Sequence, residues 1–378
     1  MKISISATNP CHLYDMAREL ARLDALGCYY SGYPQWKLAN AEQIAIRTHS
    51  FRTTIVYALL KLPEKFRPSA RSLFLWQDHS FDRWVGRNLR PCEFIHAMPG
   101  QALHTLKKAK QLGIATVLNH ATGPVREWVR IMEPEYARAG LRLADVCPFD
   151  DAYFAREDEE YALADFHCVA SSVVRDQLVA CGIAPSKIWI VPYGADRTVF
   201  FPPEQTATHH FRIVFAGQLS LRKDMRTLLR ALELLNRADW EMHFYGGIAG
   251  EVRADLENYH GATPLTFHGA VSQRTLADAF RAGSVLVLPS LEEGFGLVVP
   301  QALNCGMPCL VSDCVGAKDL IEHHRNGSIF PAKNATALAD ELIFWEKNRT
   351  RPADVLDWCK PAQMLVSASF AALASLRK

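Results

Sequence analysis

The stretch Pro289-Ser290-Leu291-Glu292-Glu293-Gly294-Phe295-Gly296-Leu297-Val298-Val299-Pro300-Gln301-Ala302-Leu303 decides the fold. An apolar run, Ser284 to Leu288, leads into it with strand character, and a helical pattern starts near Gly296 and ends near Cys305-Gly306. The turn between them is short, rich in glycine and carries a carboxylate. Such a turn presents free backbone N–H groups and a helix N-terminus to a phosphate or a sugar hydroxyl. Glu293 adds an acceptor for hydroxyls. The pattern suits a ligand with both anionic oxygens and neutral hydroxyls. It also suits an ordinary αβ repeat, in which Gly294 and Gly296 serve only the turn.

Strand-like and helix-like segments alternate on both sides of this stretch. Strands are expected at 211–216, 241–245, 265–268, 284–288 and 308–312, with helices at 223–236, 248–257, 273–282 and 296–305. Earlier in the chain, strands are expected at 2–7, 92–96, 114–119, 166–170 and 188–191, and helices at 13–25, 100–111, 124–141 and 172–181. Short apolar strands alternating with helices predict parallel sheets buried on both faces. The polar, proline-bearing segment 201–210 reads as a linker. The expected fold is α/β, with two doubly wound Rossmann-like domains facing an interdomain cleft. The domains are read as 1–200 and 201–355, and 356–378 as a C-terminal helix docking back on the first domain. Residues 26–91 fit the alternation least. Within them Tyr29-Tyr30-Ser31-Gly32-Tyr33-Pro34 and Arg67-Pro68-Ser69 read as loops in an irregular helical insertion.

The chain has 378 residues, enough for two ordinary domains, and a net charge of +2, which supplies no overall field for nucleic acid. None of its ten cysteines forms a Cys-x-x-Cys pair. Cys305, Cys309 and Cys314 crowd together without zinc spacing and read as small buried thiols. Reduced thiols fit a cytoplasmic location. The N-terminus reads directly as a strand, and no apolar run approaches the ~20 residues that span a bilayer. Between Lys61 and Lys110, Lys and Arg outnumber the acids and are interleaved with Leu59, Leu60, Leu62, Phe66 and Phe74. Solvated helix faces explain this, as does a peripheral contact with an anionic membrane or acceptor.

Further motifs fall at strand ends. Gly217-Gln218-Leu219-Ser220-Leu221-Arg222-Lys223 places a glycine after a strand and cations at the next helix, which suits a diphosphate or a plain solvated pair. Tyr245-Gly246-Gly247 and Phe267-His268-Gly269-Ala270-Val271 follow the next two strands. Val191-Pro192-Tyr193-Gly194-Ala195-Asp196 reads as a turn between domains. His120 ends the strand from Ala115. His96 ends another, and His12 follows the first strand.

Taken together, Pro-Ser-x-x-Glu-Gly-Phe-Gly-Leu, the spacing from Glu293 to Gln301 and the following Gly306-Met307-Pro308 resemble the donor site of family-4 retaining glycosyltransferases of the GT-B fold (glycosyl transferases group 1). The resemblance is specific from about Val191 to Pro331. It implies transfer of a sugar from a nucleoside-diphosphate sugar to a glycan, glycolipid or small hydroxyl acceptor, with retention at the anomeric carbon. The implied catalytic residues are His120, Glu293 and Lys223. The implied donor-binding residues are Gly217, Arg222, Gly246, Gly269, Val271, Gly294, Phe295, Gly296, Leu297 and Gln301, with His12 and His96 on the acceptor side. No metal or cofactor is implied, and a UDP-sugar is preferred to a GDP-sugar on family frequency. Three positions depart from the family pattern. Gln218 stands for its arginine, Gln301 for its second glutamate, and Ala7-Thr8-Asn9-Pro10-Cys11-His12 for its paired glycines. These departures keep a non-catalytic sugar-nucleotide or glycan-binding relative as the alternative. A nicotinamide-dependent dehydrogenase requires Gly-x-Gly-x-x-Gly after a domain's first strand, and neither half supplies it.

Overall fold

The computed structural model describes residues 1–147, 149–204 and 210–376. The first sheet is built from β1 (Ile3–Ala7), β2 (Leu26–Ser31), β3 (Ile46–Thr48), β4 (Phe94–Ala97), β5 (Ala115–His120), β6 (Phe166–Val169) and β7 (Ile188–Ile190). Its pairings are parallel, in the order β3-β2-β1-β4-β5-β6-β7. Ile3 and Ile5 of the central strand are fully buried. Helices α1 (His12–Arg22), α2 (Phe51–Leu59), α3 (Ala70–Asn88), α4 (Leu103–Gln111), α5 (Val125–Arg138), α6 (Asp151–Leu163) and α7 (Ser172–Ala180) belong to this half.

The second sheet contains β8 (Phe211–Ala216), β9 (Trp240–Tyr245), β10 (Leu265–Phe267), β11 (Val285–Leu288), β12 (Cys309–Ser312) and β13 (Gly327–Phe330). It is also parallel, ordered β10-β9-β8-β11-β12-β13. Its helices are α8 (Met225–Leu235), α9 (Arg253–Glu257), α10 (Gln273–Ala282), α11 (Val298–Asn304) and α12 (Ala335–Lys347), and α13 (Cys359–Leu376) follows them. In each sheet the strand order reverses beside the domain's first strand, at β1/β4 and at β8/β11. Ligands bind beyond the C-terminal strand ends at such a point.

Two elements cross between the halves. Met132 and Tyr136 of α5 share a buried cluster with Ile213 and Val214 of the second sheet. Ala362 and Leu365 of α13 share one with Ile3, Leu13 and Leu20 of the first. Where the chain passes between domains the two connections touch: Ala195 N donates to the Leu356 carbonyl at 2.8 Å.

The reading of residues 29–34 as a loop is corrected. Leu26–Ser31 is a strand paired on both sides, with Tyr29 and Tyr30 fully buried. Aromatic side chains fill a pleated, buried surface well, and the flanking glycines and proline disguised that. Within the same region α2 and α3 are regular helices, and Ser69 Oγ caps α3 by accepting from Ser72 N. Of the expected linker 201–210, residues 205–209 lie outside the described residues.

Candidate functional site

The switch point of the second sheet carries the densest charge near the cleft. After β8 the chain turns through Gly217 and Gln218 to Arg222 and Lys223, and after β11 it turns through Glu292 and Glu293. These two turns meet. Lys223 Nζ is ion-paired with Glu293 Oε2. Arg222 Nη1 lies 3.2 Å from Glu292 Oε2 and 3.7 Å from Glu293 Oε2. Burial and the Arg222 guanidinium push the Lys223 ammonium down to about 7, and Glu292 opposes them.

Glycines line the same edge. Gly217 (φ 138°) and Gly246 (φ 150°) occupy backbone conformations that L side chains avoid. A Cβ on Gly246 would fall 1.8 Å from the Gly217 carbonyl oxygen. Gly246 N donates to Gly269 O at 2.8 Å, so Gly217, Gly246 and Gly269 step across the ends of β8, β9 and β10. Val271 is half-buried just before Ser272, whose hydroxyl caps α10.

The Glu293–Leu297 turn is pinned through its carbonyls. Glu293 O and Phe295 O accept from Gly316 N at 2.9 Å and Ala317 N at 2.7 Å. Among the described residues, no protein acceptor pairs with the amides of Gly294, Phe295, Gly296 or Leu297. Gly294 meets the first domain: Ser171 Oγ donates to its carbonyl at 2.7 Å, and a Cβ there would lie 2.4 Å from Ala121 O. Phe295 is buried, its ring centroid 5.0 Å from that of Tyr193.

Gln301 faces a separate interdomain pocket of about 320 Å³, shared with His12, Asp15, Gln273, Leu297 and Trp358. His12 stacks on Tyr193 with centroids 4.1 Å apart, and its Nε2 has no hydrogen-bond partner among the described residues. Burial lowers its ring to about 3. The structure thus brings His12 and Gln301 to one wall, apart from the Lys223–Glu293 pair.

Two expected positions are buried in the structure. His96 has no exposed surface; its Nδ1 is 2.7 Å from Asn119 Nδ2, and burial lowers the ring to about 3. It lies inside the sheet, not on an acceptor wall. His120 is also buried, with Nε2 3.0 Å from His167 Nδ1 and its ring against Tyr161. It shares a strand face with Leu118, on the side packed under α6, and burial keeps its ring neutral. Sequence reasoning missed Glu292, Tyr193 and Ser171. Glu292 adjoins the motif glutamate, and Tyr193 sits in the hinge segment. Ser171, as the α7 cap, carried only an ordinary helix-start signal.

Two facing, doubly wound parallel domains with the charged turn between them define the GT-B fold of glycosyltransferases. A family model for glycosyl transferases group 1 matches residues 210–348. The chain is 31% identical over 169 residues to a D-inositol 3-phosphate glycosyltransferase of Arthrobacter sp. (strain FB24), covering 40% of each. It is 26% identical over 175 residues to the sulfoquinovosyl transferase SQD2 of Arabidopsis thaliana, covering 43% of this chain and 34% of that protein. The chain thus spans half or less of the length of these curated relatives. Across nearly the whole chain the fold matches sucrose-phosphate synthase from Thermosynechococcus elongatus (TM-score 0.68, 16% identity, 99% and 100% covered). It also matches HepE from Anabaena in complex with UDP and glucose (TM-score 0.64, 15% identity, 100% of both covered).

Proposed function

We propose that the chain transfers a sugar from a nucleoside-diphosphate donor to a hydroxyl acceptor with retention. The observation that carries this is the meeting of Arg222 and Lys223 with Glu292 and Glu293 beneath a turn of free amides. A diphosphate brings more negative charge than one carboxylate, so it can displace Glu293 from Lys223. The released carboxylate is then an acceptor for donor-sugar hydroxyls. During transfer the bond from the anomeric carbon to the phosphate oxygen breaks, and the acceptor oxygen bonds to that carbon on the same face. The acceptor's proton passes to the departing phosphate. Lys223 and Arg222 stabilise the charge that develops there, and the Phe295–Leu297 amides position the sugar.

UDP is the favoured nucleotide, supported by its presence in the HepE complex. The name of the Arthrobacter relative favours a polyol acceptor. No helix among the described residues is long and apolar enough to cross a membrane. Exposed Phe51, Phe66 and Trp76 lie beside Arg52 and Lys65, which supports a peripheral contact with anionic lipid. The ten cysteines are unpaired, which supports a cytoplasmic setting.

Calorimetry with UDP, with and without a chelator, and NMR of the product's anomeric configuration test the proposal. Saturable chelator-insensitive binding and a retained configuration are expected; inversion, or loss of all affinity on chelation, overturns it. Gln218 and Gln301 favour the second reading, a non-catalytic binder, and it prevails if UDP binds but no donor is turned over.

A further inference from the structure

The far edge of the second domain carries a cluster that the transfer reaction does not use. The connection between β12 and β13 ends in His323 and His324, just before Gly327 opens β13. Gly327 pairs with Cys309, the first residue of β12. The cluster therefore lies at the N-terminal strand edge, opposite the edge that faces the cleft. His324 Nε2 is 3.2 Å from Glu341 Oε2, and His323 Nε2 is 3.9 Å from Glu341 Oε1. The three ligand atoms lie within 4.8 Å of one another.

The cluster is held in place from every side. His324 adopts a left-handed backbone (φ 60°), unusual for a residue with a Cβ, and this turns consecutive imidazoles to the same side. Their centroids are 3.8 Å apart. Its own N–H donates to Gly327 O at 2.7 Å. Asn326 ties the turn by accepting from Glu322 N at 2.8 Å and donating to Leu320 O at 3.1 Å. Phe344 stacks on the His324 ring at 3.8 Å. Glu341 stands on α12, whose Leu338, Leu342 and Trp345 are buried, so its position is set by core packing. Both histidines remain open to solvent.

We propose that His323 Nε2, His324 Nε2 and the Glu341 carboxylate bind one divalent transition-metal ion of the zinc class. Ligands about 2.0–2.1 Å from zinc in tetrahedral array stand roughly 3.3 Å apart, and the two His–Glu separations bracket that value. Two imidazoles and one carboxylate select zinc, nickel or copper over magnesium or calcium, which take oxygen ligands. Three protein ligands leave one position for water. The ion clips the β12–β13 connection to α12. This inference does not rest on the donor-site reading, since it concerns the opposite edge of the sheet.

The test uses the full chain, kept reduced, titrated with zinc chloride by calorimetry and with cobalt(II) by visible absorption. One saturable equivalent, a raised thermal midpoint and a tetrahedral cobalt band without thiolate charge transfer are expected. His324→Asn retains a residue that tolerates the left-handed backbone, and Glu341→Gln retains shape. Each should weaken binding roughly tenfold or more and abolish the thermal shift, with circular dichroism unchanged. The chain's free cysteines are the competing ligands. A thiolate band, unchanged affinity in both variants, or no saturable binding overturns the site.

Discussion

The loop after β1 and the loop after β8 occupy the same topological position in their domains, yet they are built from opposite chemistry. After β1, Gln101 Oε1 accepts from Thr8 N at 2.7 Å and from Thr8 Oγ1 at 2.6 Å, and Asn9 Oδ1 accepts from Gln77 Nε2 at 3.1 Å. Neutral amides and hydroxyls satisfy that turn, with the Asp78 carboxyl beside Thr8. After β8, Gly217 with its positive φ leaves the backbone bare, and two cations are balanced by two carboxylates. Neutral groups suit hydroxyls, and exchangeable charge suits a diphosphate. Under the proposed function, the scaffold divides into a hydroxyl-facing half and a phosphate-facing half.

Lys223→Ala is the hardest blow to that division. It removes the cation where leaving-group charge develops, so turnover should fall ~10²–10³-fold, more than donor affinity. Parallel transfer assays and UDP calorimetry measure both, and wild-type turnover would end the phosphate-facing assignment. Gly246→Ala comes next. Its Cβ would collide with the Gly217 carbonyl, and at a positive φ it should cost ~1–3 kcal/mol or more in denaturant unfolding. Thr8→Ala, in the loop after β1, should cost far less.

Gln301→Leu should weaken donor binding by ~1–3 kcal/mol by stranding hydroxyls. Gln301→Glu should keep or tighten it, because an ionised acceptor bonds more strongly. Equal affinity for both variants would move the donor away from Gln301. His96 probes the first domain's polar interior. Its native ring, lowered to about 3, stays neutral while the unfolded ring protonates below about 6.5. Its contribution is therefore present above that value and is lost as pH falls. Buried Glu157 and Glu160, raised to about 7, run the opposite way. Comparison with His96→Gln isolates the histidine, and wild type should lose ~2 kcal/mol more than the variant between pH 7 and 5.

Much of the fold was legible because parallel strands covered on both faces are plain apolar runs, as in Val285–Leu288 and Cys309–Ser312. Leu26–Ser31 escaped because its glycine, serine and paired tyrosines resemble turn chemistry, and only pairing with β1 and β3 reveals them as core. Within the site, Lys223 and Glu293 could be found by spacing, but their mutual pairing could not, since 70 residues separate them. His120 and His96 show the limit of strand-end reasoning. Period two assigns a side chain to a face, but it does not tell which face a helix will cover. Here α6 covers one and the sheet's own aromatic packing fills the other.

The return of α13 to the first domain makes the second domain an insertion, tethered by two chain segments instead of one. A body hung on a single tether can swivel in any direction; one hung on two neighbouring tethers turns about the line between them. That line runs where Ala195 meets Leu356 and Gly194 abuts Asp357. Opening of the cleft is thereby reduced to a door-like rotation. On the proposed function, admission of a donor and departure of a spent nucleotide would share that single angular coordinate.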